Sequence, residues 1–79
     1  MKEMMKNAAV NLANTAESWN EAKRSGDTES MRIWNKIYAE KSALLMSIGF
    51  NVVPETDKDG YVVIITVGEV REEVHDPFH

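Results

Sequence analysis

The sequence predicts an α+β domain in which an antiparallel helical hairpin is followed by a β-hairpin packed on it (ααββ), the sheet being completed by a second copy. Three observations predict this. Up to residue 48, apolar side chains recur at spacings of three and four, the period of a helix with one buried face. From residue 50 the apolar residues gather in short runs rich in valine and isoleucine, the composition of strands. The two kinds of segment are punctuated by Ser25-Gly26-Asp27, Gly49 and Asp57-Lys58-Asp59-Gly60, each of which suits a helix end or a tight turn.

The first helix is expected over residues 2–24. Met1, Met5, Ala8, Ala9, Leu12, Ala16 and Trp19 fall within about 100° of arc on a helical wheel, and its several alanines favour helix. Lys23 and Arg24 suit the negative end of the helix dipole. Gly26 then fits the residue after a helix, and Asp27 fits the N-cap of the next one. The second helix is expected over residues 28–48. Its apolar set is Ile33, Trp34, Ile37, Tyr38, Leu44, Leu45 and Ile48, spread over about 140°. An arc that wide predicts contact with two elements, the first helix and something else. Trp19 and Trp34 are read as packing residues on these arcs.

Strands are expected over residues 50–54 and 61–70. With Asp57 to Gly60 as the loop, Thr56 pairs with Tyr61, Val53 with Ile64 and Phe50 with Val67. One face then carries Phe50, Val52, Pro54, Tyr61, Val63, Ile65 and Val67 and lies on the helices. The other carries Asn51, Val53, Glu55, Val62, Ile64 and Thr66. A two-stranded sheet is marginal in water, and Val53, Val62 and Ile64 have no cover in the chain. Pairing across a two-fold axis would supply both, so a homodimer or higher homo-oligomer is expected, with an external protein as the other occupant of that face. Residues 1–70 form the single domain, and residues 71–79 an acidic C-terminal tail.

Composition narrows the function. A chain of 79 residues buries only about 60% of its unfolded surface. It has no cysteine, which removes disulfides as a source of stability and excludes a four-cysteine zinc site. It shows no secretory h-region and no apolar run of membrane-spanning length, so a cytoplasmic protein is expected. Net charge is −4 and unevenly placed: residues 1–49 carry seven Lys/Arg and six Asp/Glu, whereas residues 50–79 carry two and seven. The acidic second half disfavours binding to a phosphate backbone.

Several residues invite a chemical reading. Lys41 lies near the middle of the apolar arc of the second helix, where a desolvated amine acts as base or nucleophile; the competing reading is a lysine whose stem packs while its ammonium reaches water or a partner. Residues 55–60 resemble the start of a calcium loop, but Thr66 stands where the bidentate glutamate is required, and a hairpin turn is preferred. His75, Asp76 and His79 offer metal ligands, but Pro77 prevents the two histidines from sharing a regular helical face, and a solvated tail is preferred. Lys23, Arg24, Arg32 and Lys36 form a small candidate anion patch, set against an ordinary solvated face shared with Glu29 and Glu40. Asn7, Asn11, Asn14 and Ser18 make an uncharged polar stripe of the kind that borders an interface, set against a merely exposed face, which is slightly preferred.

No nucleophile elbow, phosphate-binding loop or helical metal pair occurs, and no cofactor is expected. The sequence therefore reads as a small non-enzymatic interaction module that self-associates through its β-hairpin, with Val53, Val62, Ile64, Asn7, Asn11 and Asn14 as interface candidates. One alternative is a nucleic-acid accessory protein using the basic patch. The other is an enzyme whose site is shared between subunits and uses Lys41 or His75.

Overall fold

The computed structural model describes residues 2–75. Helix α1 runs Lys2–Ser25 and helix α2 Thr28–Ser47; strands β1 Val52–Thr56, β2 Val62–Val67 and β3 Val70–Glu73 follow. The strands form one antiparallel sheet in the order β1-β2-β3. The fold is thus α+β, with the helical hairpin and the sheet where the sequence places them and one strand more than it predicts.

The helix boundaries have local causes. The Asp27 carboxylate accepts from the Ser30 amide at 3.0 Å and from the Ser30 hydroxyl at 2.7 Å, which caps the start of α2. Helix α1 carries alanine wherever it approaches the sheet most closely, with Ala9, Ala13 and Ala16 buried beside Met5 and Leu12. Small side chains let the helix settle onto the central strand, whose Ile65 and Val67 are fully enclosed. Phe50 and Val74 close the two ends of this core. Helix α2 is peripheral: Tyr38 and Leu45 pack against the core, yet Ser42 is its only buried residue.

Three details of the sheet differ from the sequence expectation. The strand expected over residues 61–70 divides at Gly68-Glu69, so residues 71–73 belong to β3 rather than to a tail. Val67 pairs with Val70 across these two residues. Gly68 has φ +58° while Glu69 does not have positive φ, the pattern of a type II′ hairpin turn. The β1–β2 register is also displaced: Val52 pairs with Val67, Val53 with Thr66 and Glu55 with Ile64. A shift of two residues preserves the alternation of faces, so Ile65 and Val67 still point at the helices.

The third difference does change a face. Glu55 pairs with Ile64, but Thr56 pairs with Val62, so Val63 is an extra residue in a β-bulge. Beyond it the alternation reverses, and Val62 packs against the core instead of joining the outer face. The Asn20 carboxamide holds this irregular segment from α1. Its Nδ2 donates to the Val62 carbonyl at 2.8 Å, and its Oδ1 accepts from the Val62 amide at 2.9 Å. A buried side chain thereby supplies the two partners that a neighbouring strand would otherwise provide.

Candidate interaction surfaces

The outer face of the sheet is less apolar than the sequence suggests. Val62 has turned inward, leaving Val53, 52% exposed, and the half-buried Ile64. Strand β3 sets Arg71 beside Thr66 and Glu73 beside Ile64, and the Arg71 guanidinium reaches the Glu55 carboxylate across the strands at 3.5 Å. This face is therefore a mixed polar surface, in which each aliphatic side chain is bordered by charge. Strand β1 remains at the edge of the sheet, with its outer backbone groups directed away from β2.

A larger apolar surface lies on α2. Ile33 is 48% exposed, Leu44 68% and Ile48 59%, and Ile37 between them is half-buried. On a helical wheel these four fall within about 60° of arc, displaced by roughly a quarter-turn from the inward-facing Trp34, Tyr38 and Leu45. The wide arc read from the sequence thus has two parts, one facing this chain's core and one facing out. The second element anticipated for α2 is supplied only slightly by β1.

Lys41 stands midway along α2, at the margin between the outward stripe and the side that faces α1. Its Nζ donates to Asn11 Oδ1 at 2.7 Å and to Thr15 Oγ1 at 3.3 Å, which ties α2 to α1. Leu44, Leu45 and Lys41 line a shallow groove with Ala8, Asn11 and Leu12 of α1. Asn7, Asn11 and Asn14 are all exposed on α1, as is Met4 at 53%, and Asn11 lines the groove. The polar stripe and the aliphatic stripe meet at this groove, through Asn11 on α1 and Leu44 on α2.

The four cations of the anion patch separate into two groups. The Lys23 ammonium lies 5.9 Å from the Trp19 ring centre and 5.2 Å from that of Tyr61, and the Arg24 guanidinium lies 5.2 Å from Tyr61. Both turn toward the β-hairpin through cation–π attraction. Arg32 instead pairs with Glu29 at 3.2 Å, and Lys36 lies beside Glu40 on the exposed side of α2. The candidate calcium loop is occupied by its own backbone: Asp57 Oδ1 accepts from the amides of Asp59 and Tyr61 at 2.9 and 3.0 Å. Of the histidine-containing segment, Asp76, Pro77, Phe78 and His79 lie outside the described residues. No group of three His, Cys, Asp or Glu suited to a metal occurs among the described residues.

A partly open cleft lies between α1, α2 and strands β1 and β2. This cleft of about 160 Å³ is walled mainly by Trp19, Tyr38, Pro54 and Val62. Tyr38 is its only titratable residue. Burial raises the pKa of its phenol, opposed in part by the nearby Ser42 hydroxyl, so the group stays protonated at neutral pH. The two hydroxyls approach one another without the geometry of a hydrogen bond, and Tyr38 Oη and Ser42 Oγ are buried without a partner. No helix of the described residues is long and apolar enough to cross a membrane. Comparison with protein-family models, with curated proteins and with solved structures finds no match to this chain.

Proposed function

We propose that this protein is a small non-enzymatic interaction module that self-associates, and that its docking surface is the outside of the helical hairpin. The observation that supports this reading is the run of Ile33, Ile37, Leu44 and Ile48 along one flank of α2. Exposed aliphatic residues are ordinary when scattered, but contiguous ones mark surfaces that bind. The flanking Asn7, Asn11 and Asn14 supply an uncharged polar border of the sort that surrounds such a patch. A cytoplasmic setting accords with the cysteine-free composition.

Light scattering behind size exclusion, over a wide concentration range, tests the proposal. The wild type is expected to exceed the monomer mass. Leu44→Lys, at a site where the side chain is already mostly in water, is expected to be a folded monomer. A monomeric wild type, or an oligomer indifferent to Leu44→Lys, would contradict the reading. Pairing through the sheet is the second reading, favoured by the open edge of β1 and the exposure of Val53. Under that reading Ile64→Lys, not Leu44→Lys, dissociates the oligomer.

A further inference from the structure

We infer that the groove between β1 and α2 binds an extended peptide segment, which adds a fourth strand at the β1 edge and seats an aromatic side chain in the cleft beside Trp19 and Tyr38. This surface is separate from the outer flank of α2 and does not depend on self-association there.

Layer widths leave room for the strand. Packed helices lie about 8–10 Å apart and neighbouring strands about 4.8 Å, so one helix covers about two strands. Helix α1 packs on β2 and β3; among the described residues, α2 approaches β1 and no other strand. Helix α2 is therefore centred near the outer edge of β1, over a position where the described residues place no strand. Asn35 faces Pro54 and Thr56 across the cleft. On a helical wheel it shares an arc of about 60° with Ala39, Ser42 and Met46, opposite the stripe of Ile33, Ile37, Leu44 and Ile48. The small side chains of Ala39 and Ser42 let a backbone pass close beneath α2.

The hydrogen-bonding groups of β1 specify what fits there. The Gly68 amide donates to the Asn51 carbonyl at 2.9 Å, so by the alternation of an antiparallel pair Val53 and Glu55 also bond to β2, while Val52 and Pro54 turn away. Past the bulge the Asp57 amide donates to the Tyr61 carbonyl at 2.9 Å, which likewise turns Thr56 outward. The edge thus offers the N–H and C=O of Val52 and of Thr56 and the C=O of Pro54. These alternating dipoles are complementary to another extended backbone, and Pro54 withholds a single donor. The side chains of Val52, Pro54 and Thr56 point toward the helices, and so do those of residues paired opposite them. A residue opposite Pro54 or Thr56 therefore meets the cleft, whose exposed rim of Asn35, Pro54 and Thr56 opens between α2 and β1. The cleft measures about 160 Å³. A cavity of about 150 Å³ holds a benzene ring, so one aromatic side chain fits.

A second copy is the wrong shape for this groove. Pairing β1 with its own β1 about a two-fold axis would bring both α2 helices over the same position, where they would collide. A lone strand avoids the collision, and the occupant is accordingly a segment of another protein.

The peptide Lys-Thr-Val-Thr-Phe-Thr-Val-Thr-Lys, titrated into the full chain and followed by amide NMR, tests the inference. Saturable binding is expected, with slowed hydrogen exchange at the Val52 and Thr56 amides. Phenylalanine to alanine in the peptide is expected to weaken binding about tenfold. Methylating alternate peptide nitrogens is expected to weaken it about tenfold or more in the phase whose N–H groups face β1, and to leave it unchanged in the other. Ala39→Arg, at an exposed site that overhangs the groove, is expected to abolish binding. Leu44→Lys, on the opposite flank of α2, is expected to leave binding intact whatever it does to oligomer mass. Absence of binding at millimolar peptide overturns the inference. So does binding that neither phase of methylation alters, which would be capture of the ring alone. Protection of Val52 and Thr56 that grows with protein concentration in the absence of peptide would show β1 pairing with a second copy and would also overturn it.

Discussion

Asn20 shows how much one neutral side chain can organise. It is 4% exposed and satisfies both backbone groups of Val62 at the point where the strand ladder becomes irregular. Asn20→Ala would leave a buried amide and a buried carbonyl without partners, and urea denaturation is expected to show a loss of about 1–3 kcal/mol. Asn20→Asp retains only the acceptor and adds a buried charge, so it is expected to be at least as damaging. Nothing in the sequence signals this role, because a lone asparagine on a helix is ordinarily solvated. Lys41 is the opposite case: its position on an apolar arc makes it conspicuous, and its ammonium is held by Asn11 and Thr15. Asp27 was also legible, as an N-cap before a helix. The Ser30 hydroxyl and then the Ser30 amide hold its carboxyl below the ordinary aspartate range, only weakly opposed by desolvation. A pKa lowered on folding means that the cap contributes fully above the unfolded aspartate value. Its contribution is lost as pH falls through the folded one. Following the Asp27 carboxyl by NMR should show a midpoint below that of an unstructured aspartate, and Ser30→Ala should bring it back up.

At the level of elements, the strands show where local reading succeeds and where it stops. Alternation identified the buried side of β2 correctly at Ile65 and Val67, because a register shift of two residues leaves each face unchanged. The bulge at Val63 was not legible, since an extra residue has no signature in a run of valines and isoleucines. Its consequence is that Val62 exchanges solvent for core. The third strand was legible in principle: Gly68-Glu69 between Val67 and Val70 is a glycine-first two-residue turn. The acidic composition of residues 69–73 masks that pattern. A side chain at Gly68 would meet Met5 and adopt a left-handed backbone that L-residues resist. Gly68→Ala is therefore expected to cost about 1 kcal/mol or more in thermal or chemical unfolding. The loss should be accompanied by faster hydrogen exchange at the amides of residues 70–74. Helix α2 carries the converse lesson. Its broad apolar arc foretold two partners, and the chain itself provides for little more than one.

For the molecule as a whole, stability and association reside on different surfaces. The core is made by α1 and β2, so Leu12→Ala is expected to cost about 2–5 kcal/mol of folding stability. Leu44→Lys, at the exposed flank of α2, is expected to leave the stability of the isolated chain nearly unchanged. Its effect should fall on oligomer mass instead. A variant set showing the two effects coupled, with Leu44→Lys unfolding the monomer, would place α2 within the core after all. The sequence by itself determined the fold class, both helices, the capping at Asp27 and the inward faces of Ile65 and Val67. Each of these follows from periodicity or from turn chemistry within a few residues. Only the tertiary structure decided the bulge, the inward turn of Val62, the separation of Lys23 and Arg24 from Arg32 and Lys36, and the transfer of the main apolar surface from sheet to helix. These depend on which element reaches a given side chain first. Asn20 reaches Val62 and Tyr61 draws Lys23 and Arg24, both over separations in sequence that no local pattern records.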